Sequence, residues 1–217
     1  MRNICVSLVG ILIPMLAAAQ NDWANYGRYA EANSQVTAAP KAVLMGDSII
    51  DGWPFADPEF FSENNFVGRG ISGQVSSQML LRFRQDVIDL HPKYVVILAG
   101  TNDIAENSGK IDMDKTFGNI VSMCDLAKAN GIKPILCSVI PATSFYWHPH
   151  VTGAAEKIVK LNEMIEKYAK ENRIRYVDYH SAMKDERGGL PESLAKDGVH
   201  PTREGYDIMK NLLLKAL

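Results

Sequence analysis

The chain has 217 residues, 23 Lys and Arg against 25 Asp and Glu, and 47% hydrophobic residues, which suits one globular domain with a substantial core. A formal net charge of −2 gives no electrostatic case for nucleic acid or an anionic membrane surface as the main partner.

Met1-Arg2-Asn3 is a short cationic start, Ile4 to Leu16 is mostly apolar, and Ala17-Ala18-Ala19 supplies small residues at the −3 and −1 positions. Residues 1–19 therefore read as a secretory signal peptide cut before Gln20. The apolar run is shorter than the roughly 20 residues a span needs, and Pro14 interrupts it, so no stable membrane insertion is expected after cleavage. The mature protein is expected in a periplasm or outside the cell. Residues 20–40 are polar and Ala-rich and read as a lead-in packed on the surface of a domain over 41–217.

Ala42-Val-Leu-Met45, ending at Gly46, reads as a buried strand. Further apolar runs are Asn65-Phe-Val67, Tyr94–Ala99, Pro134–Ile140 and Ile174–Asp178. Amphipathic helices lie between them. Met79, Phe83, Val87 and Leu90 mark one, and Phe117, Ile120 or Val121, and Cys124 a second. Ile158, Leu161, Ile165 and Tyr168 mark a third, and Ile208, Leu212 and Leu213 a last. Gly131 stands where a helix ends. Apolar strands alternating with amphipathic helices predict a parallel sheet covered on both faces. Cys124 and Cys137 sit in apolar segments and read as two buried thiols, the alternative being a disulfide in an oxidising compartment. Neither has a metal-like spacing, and neither a metal nor a cofactor is expected.

Ligands of such sheets bind beyond the C-terminal strand ends. There the chain delivers Gly46-Asp47-Ser48, the glycine-rich VGRGISGQ stretch, Gly100-Thr101-Asn102-Asp103, and Asp197-Gly-Val-His200. A hydroxyl needs a base beside it to act as a nucleophile. His200, with Asp197 three residues before it, supplies both a base and a group to orient it, so the expected triad is Ser48, His200 and Asp197. The Gly73 N–H, the Asn102 side-chain amide and the Ser48 N–H are the expected donors to an oxyanion. Asp47 is read as bracing the serine turn and Asp103 as fixing the Asn102 loop. Trp53, Trp147 and His148 are expected either to line the substrate pocket or simply to pack in loops.

GRGISG also fits the G-x-G-x-x-G pattern of a dinucleotide fold. It follows the second strand rather than the first, however, and Ala99-Gly100-Thr101 stands where the ribose-binding acid belongs.

In order and spacing, "MGDSIIDGW", "RGISGQ", "LAGTNDI" and "DGVHPTREGY" resemble the sequence blocks of the SGNH hydrolases, or GDSL lipase/esterase family. The four naming residues fall on Ser48, Gly73, Asn102 and His200, with the carboxylate partner on Asp197. Ile49 stands where the GDSL name has Leu. The resemblance implies a three-layer α/β/α sandwich, a flavodoxin-like five-stranded parallel sheet, and metal-independent ester hydrolysis through an acyl-enzyme. The expected substrate is a small-molecule or carbohydrate ester, an acetyl ester foremost. The alternatives are a lysophospholipase or thioesterase-like hydrolase of longer chains, and a carbohydrate-binding module on an inactive scaffold.

Overall fold

The computed structural model describes residues 22–217. The expected signal peptide and the first two lead-in residues lie outside them. The lead-in forms a 3-10 turn and a short helix α1 (Ala30–Ser34). After it come β1 (Ala42–Gly46), α2 (Ser48–Ala56), α3 (Pro58–Asn64), β2 (Phe66–Gly70), α4 (Ser76–Asp86), β3 (Tyr94–Leu98), α5 (Thr101–Ile104) and α6 (Met113–Ala129). The chain ends with β4 (Lys133–Cys137), α7 (Ala154–Glu171), β5 (Arg175–Val177), α8 (Tyr179–Met183) and α9 (Arg203–Ala216). Among the described residues, no helix is long and apolar enough to cross a membrane.

The five strands are all parallel, in the order β2-β1-β3-β4-β5. Successive side chains of a strand point to opposite faces, so a strand covered on both sides must be apolar at every position. In β1, Val43 and Met45 join the core under α4, α6 and α7, with Phe83, Ile120 and Leu161. Ala42 and Leu44 join the opposite core under α2, α3 and α9, with Trp53, Phe60 and Met209. Cys124 belongs to the first core and Cys137 to the second. The sheet lies between the two thiols. Both are free and buried, and burial pushes each up to about 12.

Two helices between β1 and β2 were not legible as a periodic pattern. Ser48–Ala56 carries adjacent Ile49 and Ile50, then Gly52 and Pro54, and shows no 3.6-residue stripe. The second strand is also longer than the run Asn65–Val67 predicts, so Gly68 and Gly70 of the glycine-rich motif lie inside β2. Their role is close packing. A Cβ on Gly70 would lie 2.1 Å from the Asp51 backbone nitrogen, and one on Gly68 2.8 Å from Pro54 Cγ. Helix α2 therefore rests directly on bare strand backbone.

Gly70→Ala should lower stability by about 2–3 kcal/mol, because rigid backbone leaves the methyl group nowhere to go. Gly118→Ala, in α6 with nothing within 4 Å of the new Cβ, should be neutral or stabilising by up to ~1 kcal/mol. Urea unfolding midpoints of the two variants check this, and equal midpoints would refute the contact.

Candidate active site

In this strand order the connections on either side of the β1–β3 pair diverge, and ligands of doubly wound sheets bind in the crevice such a divergence opens. β1 enters it through Gly46. A Cβ there would collide with Ile50 Cγ1 at 2.4 Å, so the chain passes at once from strand to helix. Asp47 caps α2, its Oδ1 accepting from the Ile49 N–H at 3.0 Å. Ser48 is then the first residue of the helix, where backbone N–H groups have no partner within the helix. After β3, Gly100 adopts φ 127°, and a Cβ would meet Leu161 Cδ2 at 2.7 Å. The turn delivers Asn102, which is buried.

His200 arrives from the opposite end of the sequence. Asp197 Oδ1 accepts the N–H groups of Val199 (3.0 Å) and His200 (2.8 Å), while its Oδ2 lies 2.6 Å from His200 Nδ1. The carboxylate thus folds back on its own loop and fixes the ring. Ser48 Oγ lies 2.8 Å from His200 Nε2, although 152 residues separate the two in sequence. With Nδ1–H donating to the carboxylate, Nε2 is left to accept the serine proton. Partial burial alone would raise the Asp197 carboxyl. The N–H and ring of His200 and the Val199 N–H outweigh it and hold the group below its ordinary value.

β2 contributes the turn after Gly70. The Gln74 N–H closes it onto the Ile71 carbonyl at 3.2 Å, and its third residue, Gly73, has φ 79°, as a type II turn demands. Conformation rather than crowding requires this glycine, since a Cβ would meet only Asn107 Nδ2, at 3.8 Å. The Asn102 amide donates to the Gln74 carbonyl at 3.1 Å, which joins the β2 and β3 loops.

The sequence-predicted pocket residues divide. Trp147 stands beside the site, its ring centroid 6.1 Å from that of His200. Trp53 is a correction. It is wholly buried, stacked between Phe60 at 5.1 Å and Tyr206 at 5.3 Å, because it lies five residues along α2 from Ser48, a rotation of about 140° at 3.6 residues per turn. His148 is also committed elsewhere, its Nδ1 2.6 Å from the Ala105 carbonyl, where it ties the loop to α5. Asp103 accepts from the Ser76 N–H and hydroxyl and from the Thr116 hydroxyl. It therefore fastens α5 to α4 and α6.

Two residues escaped the sequence reading. Arg82, fully buried, donates to the Gly46 carbonyl (3.1 Å), the Arg69 carbonyl (2.9 Å), Gln74 Oε1 (2.6 Å) and Asp86 Oδ2 (2.9 Å). One guanidinium thereby ties the ends of β1 and β2 to the turn beside Gly73. The available signal was a charged i,i+4 pair, Arg82 and Asp86, next to the apolar stripe of α4. Asn107 is the other. It bonds to Gly73, Asn102 and Trp147 at once.

The family model for the GDSL-like lipase/acylhydrolase family matches residues 44–208. The chain belongs to this family. A GDSL-like lipase from Bacteroides thetaiotaomicron superposes with a TM-score of 0.87 at 53% identity, covering 90% of this chain and 98% of that one. The acetylxylan esterase of Geobacillus stearothermophilus is 24% identical over 160 residues, 70% of this chain and 71% of that protein. The isoamyl acetate-hydrolyzing esterase of Saccharomyces cerevisiae is 22% identical over 170 residues, 73% and 71%. The chain spans 33% and 42% of the first two curated relatives it matches.

Asp47 yields a pH prediction. It is fully buried, its Oδ2 has no hydrogen-bond partner among the described residues, and burial pushes its carboxyl from 3.8 up to about 6. The folded state therefore holds a proton that the unfolded state has lost between those values, so this group's contribution to stability falls as pH rises through the interval. Asp47→Asn removes the titration while leaving an oxygen for the Ile49 N–H. Relative to wild type, the variant should gain up to about 3 kcal/mol between pH 4 and pH 7. Urea unfolding at both pH values measures it, and a constant difference would refute it.

Proposed function

We propose that this protein is an exported serine esterase that removes short acyl groups, acetyl foremost, from carbohydrate esters. The observation that carries the catalytic reading is the alignment of Ser48 Oγ, the His200 ring and the Asp197 carboxylate, with contacts of 2.8 and 2.6 Å. Ser48 Oγ attacks the ester carbonyl carbon as its proton passes to His200 Nε2. The negative charge that develops on the carbonyl oxygen meets the N–H groups of Ser48 and Gly73 and the amide of Asn102. His200 then gives its proton to the departing alcohol oxygen, which leaves an acyl-serine. Water attacks that ester with His200 taking its proton, and the proton returns to Ser48 Oγ as the acid leaves. Asp197 holds the ring in the required tautomer and stabilises the imidazolium.

The acetyl preference is supported by the two acetate-ester hydrolases among the relatives. The carbohydrate preference is supported by a cleft of ≈ 400 Å³ that runs past Gly73. Its walls include Asp22, Asn25, Ser72, Gln78 and Asn107, together with the half-exposed ring of Trp23. Hydrogen-bonding side chains beside one aromatic face suit a polyhydroxylated leaving group. Export is supported by the character of residues 1–19 in the sequence.

A fluorophosphonate probe should label wild-type enzyme and not Ser48→Ala; equal labelling of both would remove Ser48 from the mechanism. Among nitrophenyl esters, turnover should be greatest for acetyl and fall steadily toward octanoyl, and a maximum at octanoyl would favour a long-chain hydrolase. Trp23→Ala should raise KM several-fold for acetylated xylo-oligosaccharides while leaving nitrophenyl acetate turnover within twofold. An equal effect on both substrates would remove Trp23 from leaving-group binding.

A further inference from the structure

An indole and two carboxamides stand in series beside the proposed oxyanion site. The indole N–H of Trp147 is a donor with no acceptor capacity, and it lies 2.8 Å from Asn107 Oδ1. The oxygen of the Asn107 amide must therefore face Trp147, and its nitrogen the other way. On that side Asn107 Nδ2 donates to Asn102 Oδ1 at 2.8 Å and to the Gly73 carbonyl at 3.2 Å. With its oxygen engaged by Asn107, Asn102 turns its nitrogen to the Gln74 carbonyl at 3.1 Å. One N–H is used there, and the second remains for a reacting oxygen.

The polarity of this chain matters because a carboxamide is nearly symmetric in shape and opposite in charge at its two ends. If Asn102 were flipped, its oxygen would face both the Gln74 carbonyl and the developing oxyanion. An acceptor would then confront both a carbonyl and the developing negative charge, where a donor is needed. Nothing on Asn102 itself forbids the flip. The Gln74 carbonyl opposes it from one side and Asn107 from the other, since the Asn107 nitrogen cannot donate to another nitrogen's hydrogens and is itself oriented by a group that can only donate.

We propose that Asn107 is a positioning residue of the esterase reaction. Trp147 fixes the direction of the Asn107 amide, and Asn107 fixes the direction of the Asn102 amide so that its N–H faces the reacting carbonyl oxygen. Through the Gly73 carbonyl it also holds the neighbouring turn. This rests on the reading of Asn102 as an oxyanion donor, and the inference goes beyond it by naming what sets the donor's direction. The backbone supports the arrangement: the Asn107 N–H closes onto the Asn102 carbonyl at 3.0 Å, so the turn that ends α5 holds Asn107 beside Asn102 in its first turn.

The test is a double-mutant cycle with nitrophenyl acetate as substrate. Asn107→Asp keeps the shape and the acceptor for Trp147 but loses the donor, while Asn107→Ala removes both. Each should lower kcat about ten- to a hundredfold with KM within about twofold, since removing one oxyanion donor outright costs roughly a hundred- to a thousandfold. Asn102→Ala should fall by that larger factor. In the Asn102→Ala background, replacing Asn107 should cost less than about threefold, because residues acting through one another are not additive. Thermal midpoints confirm that the variants are folded, and Asn107→Asp keeps the test open if the alanine variant is not. Wild-type kcat in Asn107→Asp, or the same loss in both backgrounds, would overturn the inference while leaving Asn102 as donor. An Asn102→Ala enzyme within a few-fold of wild type would overturn both readings.

Discussion

A parallel sheet sends every strand toward the same edge, and the order β2-β1-β3-β4-β5 places a divergence in the chain above β1 and β3. All the chemistry discussed for this protein depends on that divergence being narrow. Ser48 leaves β1 and Asn102 leaves β3, and the two strands are in direct register, Gly46 beside Leu98. The turn holding Gly73 comes from β2 on the other side of β1. Groups scattered over more than 150 residues thus share one rim, with Asp197 and His200 carried there by the segment 184–202 between α8 and α9.

The narrowness has a steric origin. Glycines at 46, 70 and 100 stand where a Cβ would collide with Ile50, the backbone of Asp51 or Leu161. They let α2 fold back immediately over β1 and β2, and let α5 begin within three residues of the end of β3. The same glycines account for the pattern that resembles a dinucleotide motif. In that fold, glycines bring backbone close to a pyrophosphate. Here Gly68 and Gly70 bring a helix close to a strand, and only Gly73 faces the rim. A short motif defines a spacing of bare backbone. The packing around it decides what occupies the space.

The sequence was legible where periodicity and burial agree. The apolar runs of β1 and β3 follow from cover on both faces, and the stripe Ile158, Leu161, Ile165 follows from a helix seated on one. The serine, histidine and aspartate were legible because their local context is short: Asp197 and His200 are three residues apart, and Ser48 follows a strand by two. Trp53 was misread because proximity to Ser48 along the chain says nothing about direction around a helix, and α2 had no stripe to reveal that direction. Asn107 and Arg82 went unread for a different reason. Each bonds to partners brought near only by the finished fold, Trp147 lying 40 residues from Asn107 and the Gly46 carbonyl 36 residues from Arg82.

Arg82 shows what the rim requires beneath it. Burying a guanidinium costs several kcal/mol unless its charge and its donors are matched, and this one is matched on every side by Asp86, Gln74 and two strand-end carbonyls. An apolar side chain of the same volume would pack as well and would not hold those carbonyls. Both belong to the ends of β1 and β2, and at Gly46, whose carbonyl also accepts the Ile71 N–H at 3.1 Å, the guanidinium supplies a second donor. The lead-in adds to the same network, with Asn33 bonding to Asp86 and Arg69, and the Ala24 carbonyl accepting from Gln74. Family membership covers residues 44–208, yet part of the scaffold under the Gly73 turn comes from before that range. A truncation that kept the whole family region but removed residues 22–36 would unpair buried groups directly behind Gly73, so its first effect would fall on the geometry of the turn rather than on the sheet.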